Sequence, residues 1–498
     1  MRLPGDLCSQ PRITTSEPLK DPYDVVVIGS GAGGAVVAWH LASKGYRVVV
    51  FESGPEPDPR ILLREHPIIR ATRYYWDSGL TFTWGRPVIS LPYGRVLGGT
   101  VTVNSGTLFR VPRGTLALWN KETGVSIDSA WLDRAYGIVE ERLNVRRVPE
   151  ELLGGNALVM RRGAEALGLN HGPVRRPLGN CRGMGECAFI CPCDGKIDMR
   201  LSFLVDAVRL GARVYTNAHV RRIIARNGRA VGVKVEVNGD IVEVEARAVV
   251  VSAGALNTPR LLRGAGVRNK SLGQHLHIHP AAGVTGVMDR VVRGWIGTMQ
   301  SYYVDTLLES HRTLLLATFP PPGVGYSAAS VPVDELDKYP YMASIGVQTS
   351  DDGTGSLWGF RLAGVARYDL NPVDLERIIE GVRLSAEILF AASAKRVYPP
   401  LKTPVKADSM GELNRILEQA KPGVFKLSAY HPMSTARMAS DDDAGVVDEG
   451  GRVYGFTGLY VADASILPST TIVNPQLTIN ALSLLVAEAI DSDLGGPR

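Results

Sequence analysis

The chain has 498 residues, of which 45% are hydrophobic, 21% charged and 7% aromatic. This globular balance excludes a mostly disordered chain, and the length suggests roughly two to three domain-sized units. Lys+Arg 55 against Asp+Glu 50 leaves a net charge of +5 with no long basic run, so nucleic acid is not an expected partner.

From the N-terminus, residues 1–22 carry no continuous apolar core and no twin arginine, so a signal peptide is not expected. Cys8 stands alone there and is read as inert. Residues 25–42 (VVVIGSGAGGAVVAWHLA) are uncharged, mostly apolar and long enough to imitate a membrane span. Glycines break the run near its centre, and a β-type run, YRVVVFESG, follows at once. Strand, turn, helix and strand fit better, so the expectation is a cytoplasmic chain with no transmembrane segment. Gly29-Ser30-Gly31-Ala32-Gly33-Gly34 is then a GxGxxG between strand and helix. Gly29 permits the tight turn, Gly31 lets a pyrophosphate approach the backbone, and Gly34 lets helix and strand pack closely. The helix start offers free N–H groups to phosphate. Glu52 ends the second strand, where a carboxylate accepts hydrogen bonds from an adenosine ribose; it disfavours NADP. The motif alone leaves FAD and NAD both open.

Residues 181–193 hold four of the five cysteines: Cys181, Cys187, Cys191 and Cys193. This crowding and the odd total fit a secreted disulfide framework poorly. On a glycine-rich loop broken by Pro192, these thiols can converge on a metal or an iron–sulfur cluster. Structural zinc and local disulfides are the alternatives. Residues 200–270 return to an α/β pattern, with a short strand at RVYTN, β-ribbon runs to VVVSAG and a helix from TPRLLRGAG. His275, His277 and His279 follow at i, i+2, i+4. On one strand they would share a face as a candidate metal patch, although no carboxylate sits beside the run; packing is the alternative. Residues 280–370 hold several β-type runs, and Trp295, Tyr302, Tyr303 and Trp358 in that zone are candidates either for a substrate pocket or for core packing. Leu375, Ile378, Ile379 and Val382 then follow helical spacing, and a last helix is predicted over 475–492. A nucleotide-type domain is therefore expected to be discontinuous, with a β-rich domain inserted in it.

Four ordered blocks resemble the glucose–methanol–choline (GMC) family of FAD-dependent oxidoreductases. They are DVVVIGSGAGGAVVAWHLASKGYRVVVFESG, GRVLGGTVTVNSGTLFRVP (94–112), SAGALNTPRLLRGAGV (252–267), and the C-terminal pair AYHPMSTARM (429–438) with LYVADASILPSTTIVNPQLTINALSLLVAEAI (459–490). The resemblance implies an α/β fold. A Rossmann-like FAD-binding domain would be assembled from 1–115, 196–275 and 429–498, with a helical and Cys-rich segment at 116–195. A substrate domain built on an antiparallel sheet would occupy 276–428. Gly98, Gly99 and Thr100 would form a small-residue turn against the flavin, with Asn104 near its ring. Val103 stands where some members carry the histidine that attaches FAD, so FAD is expected to be non-covalent. Val220 would face the adenine, Ala253 and Gly254 the ribose and phosphates, and Asp463 with Ala464 the ribityl region. A cap on the turn before Ser465 is the alternative for Asp463.

The resemblance also implies His431 and Asn474 as the catalytic pair. A neutral imidazole suits removal of a hydroxyl proton while hydride leaves the same carbon, and an amide can hold the oxygen. Asn474 precedes Pro475 and is read as the N-cap of the last helix, whose positive end would face the flavin. One family branch carries a Cys-x5-Cys-x3-Cys-Pro segment that binds a 3Fe–4S cluster. By likeness Cys181, Cys187 and Cys191 would be ligands and Cys193 an extra, with Lys196 and Asp198 downstream. The implied activity is oxidation of a primary or secondary alcohol, sugar or polyol to a carbonyl. The implied partner is an electron-acceptor protein or quinone, with a peripheral membrane location through it. An oxygen-using alcohol oxidase and a non-catalytic flavin-binding or electron-transfer protein are the alternatives.

Overall fold

The structure is a computed structural model that describes residues 12–19, 22–324, 330–359 and 365–497. Cys8 and the start of the N-terminal segment lie outside the described residues. The apolar run Tyr23–Ile28 is fully buried. It pairs in parallel with Val48–Phe51 on one side and with the end of Asp240–Val251 on the other. Such runs, apolar on both faces, suit a parallel strand covered by helices. Arg213–Tyr215 extends this sheet beyond Val48–Phe51, and Leu459–Val461 adds to it beside Val249–Val251. The strand Asp240–Val251 serves two purposes. Its first half pairs antiparallel with Arg229–Val237, and its second half joins the parallel sheet.

The helix Ala32–Ser43 packs on the C-terminal helix Gln476–Leu494, which in turn packs on Ser129–Arg142. A β-carbon at Gly33 would lie 1.7 Å from the carbonyl oxygen of Ala462, so only glycine lets the first helix approach that loop. Among the described residues no helix is long and apolar enough to cross a membrane.

A second sheet is built on Ala281–Met288, Met342–Thr349 and Thr313–Ala317, all antiparallel. Its edges come from distant places: His171–Pro173 pairs with Tyr302–Val304, and Ile89–Ser90 pairs with Leu427–Ser428. The helices Pro372–Ala391 and Gly155–Ala166 pack on it and on each other. Within 116–195, Ser129–Arg142 packs on the C-terminal helix, Gly155–Ala166 packs on the second sheet, His171–Pro173 joins an edge of that sheet, and Val145–Arg147 pairs with Arg175–Pro177. Met342, Ser344, Gly346 and Gln348 alternate along one strand and face a large cavity between the two sheets.

Candidate active site

The cavity has a volume of about 1420 Å³. It is lined by Gly29, Gly31, Ala32, Gly33, Glu52, Gly99, Thr100, Val220 and Ala253. The same cavity is lined by Asn104, His431, Asp463, Ala464, Asn474 and Pro475. Gly34 and Gly98 stand behind this wall. The two glycine turns abut: a β-carbon on Gly99 would lie 2.7 Å from the α-carbon of Gly31, and Gly99 has φ +60°. A serine ties them together. The Gly98 N–H donates to Ser30 Oγ at 2.9 Å, and Ser30 Oγ–H donates to Glu52 Oε2 at 2.6 Å. Glu52 also accepts from the backbone of Ser30 and Gly54, and burial pushes its pKa up despite those bonds.

Several observations fit a dinucleotide here. A β-carbon on Gly31 would meet nothing nearer than Gly99 Cα at 3.8 Å, so backbone alone borders that part of the cavity. Ser252 Oγ, Gln476 Nε2 and Asn474 Oδ1 are buried on its wall without hydrogen-bond partners. Orphaned buried polar atoms are costly unless a ligand satisfies them. Arg221, Arg222, Arg260 and Arg263 line the cavity together with Val220 and Gly254, where they favour an anionic pyrophosphate. Trp76 and Tyr93 stack 6.0 Å apart on its wall.

Asp463 is committed within the protein. Its Oδ1 accepts from the backbone and hydroxyl of Ser465, and its Oδ2 from the Gly254 N–H at 2.9 Å and the Thr258 hydroxyl. It therefore caps its own turn and clasps the Gly254 loop. Asn474 is not the N-cap of the last helix: Pro475 holds that place, with no side-chain cap, and the helix runs Gln476–Leu494. Asn474 turns its amide to His431 instead, with Nδ2 3.3 Å from His431 Nε2. Gln476 accepts from Asn104 Nδ2 at 2.6 Å, a link between the two ends of the chain that the sequence did not disclose.

His431 lines the cavity and is otherwise enclosed. Burial pushes its pKa well below the ordinary histidine value, neighbouring His279 adds to this, and Asp351 opposes it. The ring is neutral at neutral pH and keeps a lone pair for a proton. The three-histidine run behaves differently from a strand. His275 has φ +58° and His279 φ +52°, so the chain twists and the rings part. His279 Nδ1 lies 3.3 Å from His431 Nδ1. His277 Nδ1 lies 3.8 Å from Asp351 Oδ1. Asp351 is the carboxylate missing from the local sequence: fully buried, it accepts from the backbone N–H of Ile278 and His279.

The cysteines do not assemble. Among the described residues no group of three or more His, Cys, Asp or Glu is placed to hold a metal, so Cys181, Cys187, Cys191 and Cys193 do not fit a 3Fe–4S cluster or zinc here. All four are free thiols rather than disulfides. Each has its own neighbour. Thr298 is 3.4 Å from Cys181 Sγ, buried Arg176 donates to Cys187 Sγ, the Gly195 N–H donates to Cys191 Sγ, and Met184 lies beside Cys193. Burial and the nearby Cys187 push the Cys191 thiol up to about 12. The loop still bears on the site, because Ala188 and Phe189 line the cavity. Lys196 binds it to the flavin-side turn: buried, its ammonium donates to the carbonyls of Val101, Thr102, Asn104 and Cys187. Burial lowers its pKa to about 8.

The four aromatics considered for the pocket do not line it. Trp295 stacks on Tyr339, Tyr302 meets His171, Tyr303 packs edge-on to Phe109, and Trp358 is exposed. The cavity walls carry Leu316, Phe319, Tyr339 and Met342 instead.

Two GMC oxidoreductase family models match, the N-terminal one over residues 23–281 and the C-terminal one over 362–483. An uncharacterized GMC-type oxidoreductase of Mycobacterium tuberculosis is 38% identical over 98% of this chain and 78% of its own. A long-chain-alcohol oxidase of Arabidopsis thaliana is 28% identical over 96% of this chain and 68% of its own. The crystal structure of pyridoxine 4-oxidase from Mesorbium loti shares the fold, with a TM-score of 0.72, 19% identity, and coverage of 94% of this chain and 99% of that one. The chain belongs to the GMC oxidoreductases, a family of flavoproteins.

Proposed function

We propose that this protein binds FAD non-covalently and oxidises an alcohol to a carbonyl, with His431 as the base and Asn474 as its partner at the substrate oxygen. The observation that carries this reading is the 3.3 Å contact between His431 Nε2 and Asn474 Nδ2 on the wall of a cavity that also reaches both glycine turns. When bound, FAD would supply the two-electron acceptor for the hydride. The residues do the rest. His431, held neutral, takes the hydroxyl proton on Nε2. Asn474 donates to the same oxygen as negative charge grows there. Val103 is buried and carries no nucleophile, in keeping with non-covalent FAD.

Leu316, Phe319, Tyr339 and Met342 favour an alcohol with an apolar body over a bare sugar. The likeness to a long-chain-alcohol oxidase supports the same direction. Since the cysteine thiols are not gathered around one centre, the reading routes no electrons through that loop, and the acceptor meets the flavin directly. The test is anaerobic mixing of purified protein with a panel of alcohols, from short to long chains and sugars, while the oxidised-flavin absorption is followed. Bleaching by apolar alcohols is the expected result, and reoxidation by added oxygen would mark an oxidase. A flavin that no alcohol reduces would overturn the reading.

A further inference from the structure

The hydrogen bonds behind His431 run in one direction. The Asn474 amide nitrogen can only donate, so His431 Nε2 accepts and the ring carries its proton on Nδ1. That proton faces His279 Nδ1 at 3.3 Å, and the two rings stand nearly perpendicular, 81° apart. His279 therefore accepts on Nδ1 and carries its own proton on Nε2, which donates to Thr470 Oγ1 at 2.7 Å. Thr470 Oγ1 also accepts from the Ile472 N–H at 3.2 Å, which leaves its own proton for Ser350 Oγ at 2.8 Å. The chain runs in a consistent sense, with Thr470 Oγ1 accepting from His279 and from Ile472 and donating to Ser350.

The backbone is arranged to aim this ring. His279 has φ +52° immediately before Pro280, a conformation that is rare for a residue with a β-carbon and disfavoured before proline. It persists because buried Asp351 accepts the N–H of both Ile278 and His279.

We propose that His279 is a positioning residue for the base. Its Nδ1 lone pair holds the Nδ1 proton of His431 and so keeps Nε2 of His431 turned to the cavity. In that step the substrate O–H bond breaks, an Nε2–H bond forms on His431, and the Nδ1 proton remains in the bond between the two rings. The substrate's C–H bond gives up its hydride in the same oxidation. The ionisable groups facing the two rings are His277 and Asp351. Burial lowers the His277 pKa, but Asp351 more than offsets this and raises it, while Asp351 stays ionised. Burial holds His279 down to about 4, so it is the neutral acceptor that the contact requires.

The inference rests on His431 acting as the base, and two measurements separate its failure from that of the proposed function. The first needs no turnover. Nitrogen-15 NMR of histidine-labelled, FAD-loaded enzyme is expected to show His431 as the Nδ1–H form, with a low-field proton that disappears in His279→Leu. In His279→Asn it is retained, because the amide oxygen can stand where Nδ1 was. A proton on His431 Nε2, or a signal indifferent to His279→Leu, overturns the inference. The second is flavin reduction by alcohol. His279→Leu is expected to slow it roughly 10- to 100-fold, the usual scale for losing a group that orients a functional histidine. His279→Asn should restore the rate in part. A wild-type rate in His279→Leu, or no rescue by His279→Asn, overturns the inference. An intact NMR signal in an enzyme that no alcohol reduces supports the positioning contact and overturns the activity.

Discussion

Two short runs in this chain are rich in ligand-type side chains, residues 181–193 with four cysteines and residues 275–279 with three histidines. The structure treats both alike in one respect and differently in another. Neither run converges on a centre of its own. The thiols disperse, each beside a separate partner, on a loop whose position is set by Lys196. The histidines also part, but one becomes the neighbour of the base and another lies beside buried Asp351. Crowding along the chain says little about convergence in space. What decides is which distant groups the fold brings to each side chain.

The comparison breaks most readily at the base. His431→Ala should lower the rate of flavin reduction by substrate about 10²- to 10⁴-fold, the usual worth of a general base, while bound FAD is unchanged by absorption. Next comes the cofactor cradle. Gly99→Val would press a side chain onto Gly31 in a backbone with φ +60°, and the purified variant should lack flavin absorption. Lys196→Met tests what holds the cysteine loop. It leaves several buried carbonyls unpaired, and chemical denaturation should show a loss of about 2–4 kcal/mol.

Stability against pH sharpens the contrast on the histidine side. His279 and His275 are each held down to about 4 by burial, and His431 is lowered well below 6.5. They stay neutral in the fold and take protons readily only when unfolded. Their contribution is present above about pH 6.5 and is lost as pH falls towards 4. His277 has the opposite sign, since its raised pKa favours the fold at low pH and that benefit fades as pH rises through it. Three lowered rings against one raised ring should give a net fall in melting temperature between pH 6.5 and 4. His279→Asn should flatten that fall. The smallest effect is expected from Cys181→Ser, because that thiol has only a long contact with Thr298: iron content and flavin reduction should match the wild type, with stability changed by less than about 1 kcal/mol. Iron in the wild type that vanishes in this variant would restore the cluster reading.

Legibility followed sequence distance. The strand Tyr23–Ile28, its turn and the helix Ala32–Ser43 were readable because a short buried run and a glycine turn act on their own neighbours. The strands of the β-rich zone and the helix Pro372–Ala391 were readable for the same reason. The cap role expected for Asn474 falls one residue later, on Pro475, because a residue before proline and a helix does not fix the cap, whereas its place beside His431 follows the family likeness. For the aromatics the sequence leaves pocket and packing both open, because residue type records bulk and not direction, and packing is the outcome for Trp295, Tyr302 and Tyr303. Trp358 points outward, while Phe319 and Tyr339 reach the cavity. Asp351 could not be linked to His277 and His279 at all, as more than seventy positions separate them.

By itself, then, the sequence determined the nucleotide-binding half of this protein, the blocks that mark its family and the identity of His431 and Asn474 as a candidate pair. The nucleotide-binding half rests on interactions between near neighbours, where spacing sets geometry, whereas the blocks and the pair rest on likeness to a family. The tertiary structure alone decided the hydrogen-bond partners of His431, the separate partners of the thiols and the walls of the cavity. Hydrogen-bond direction, burial and charge compensation act across space, and a linear pattern does not encode which distant group will satisfy a buried one.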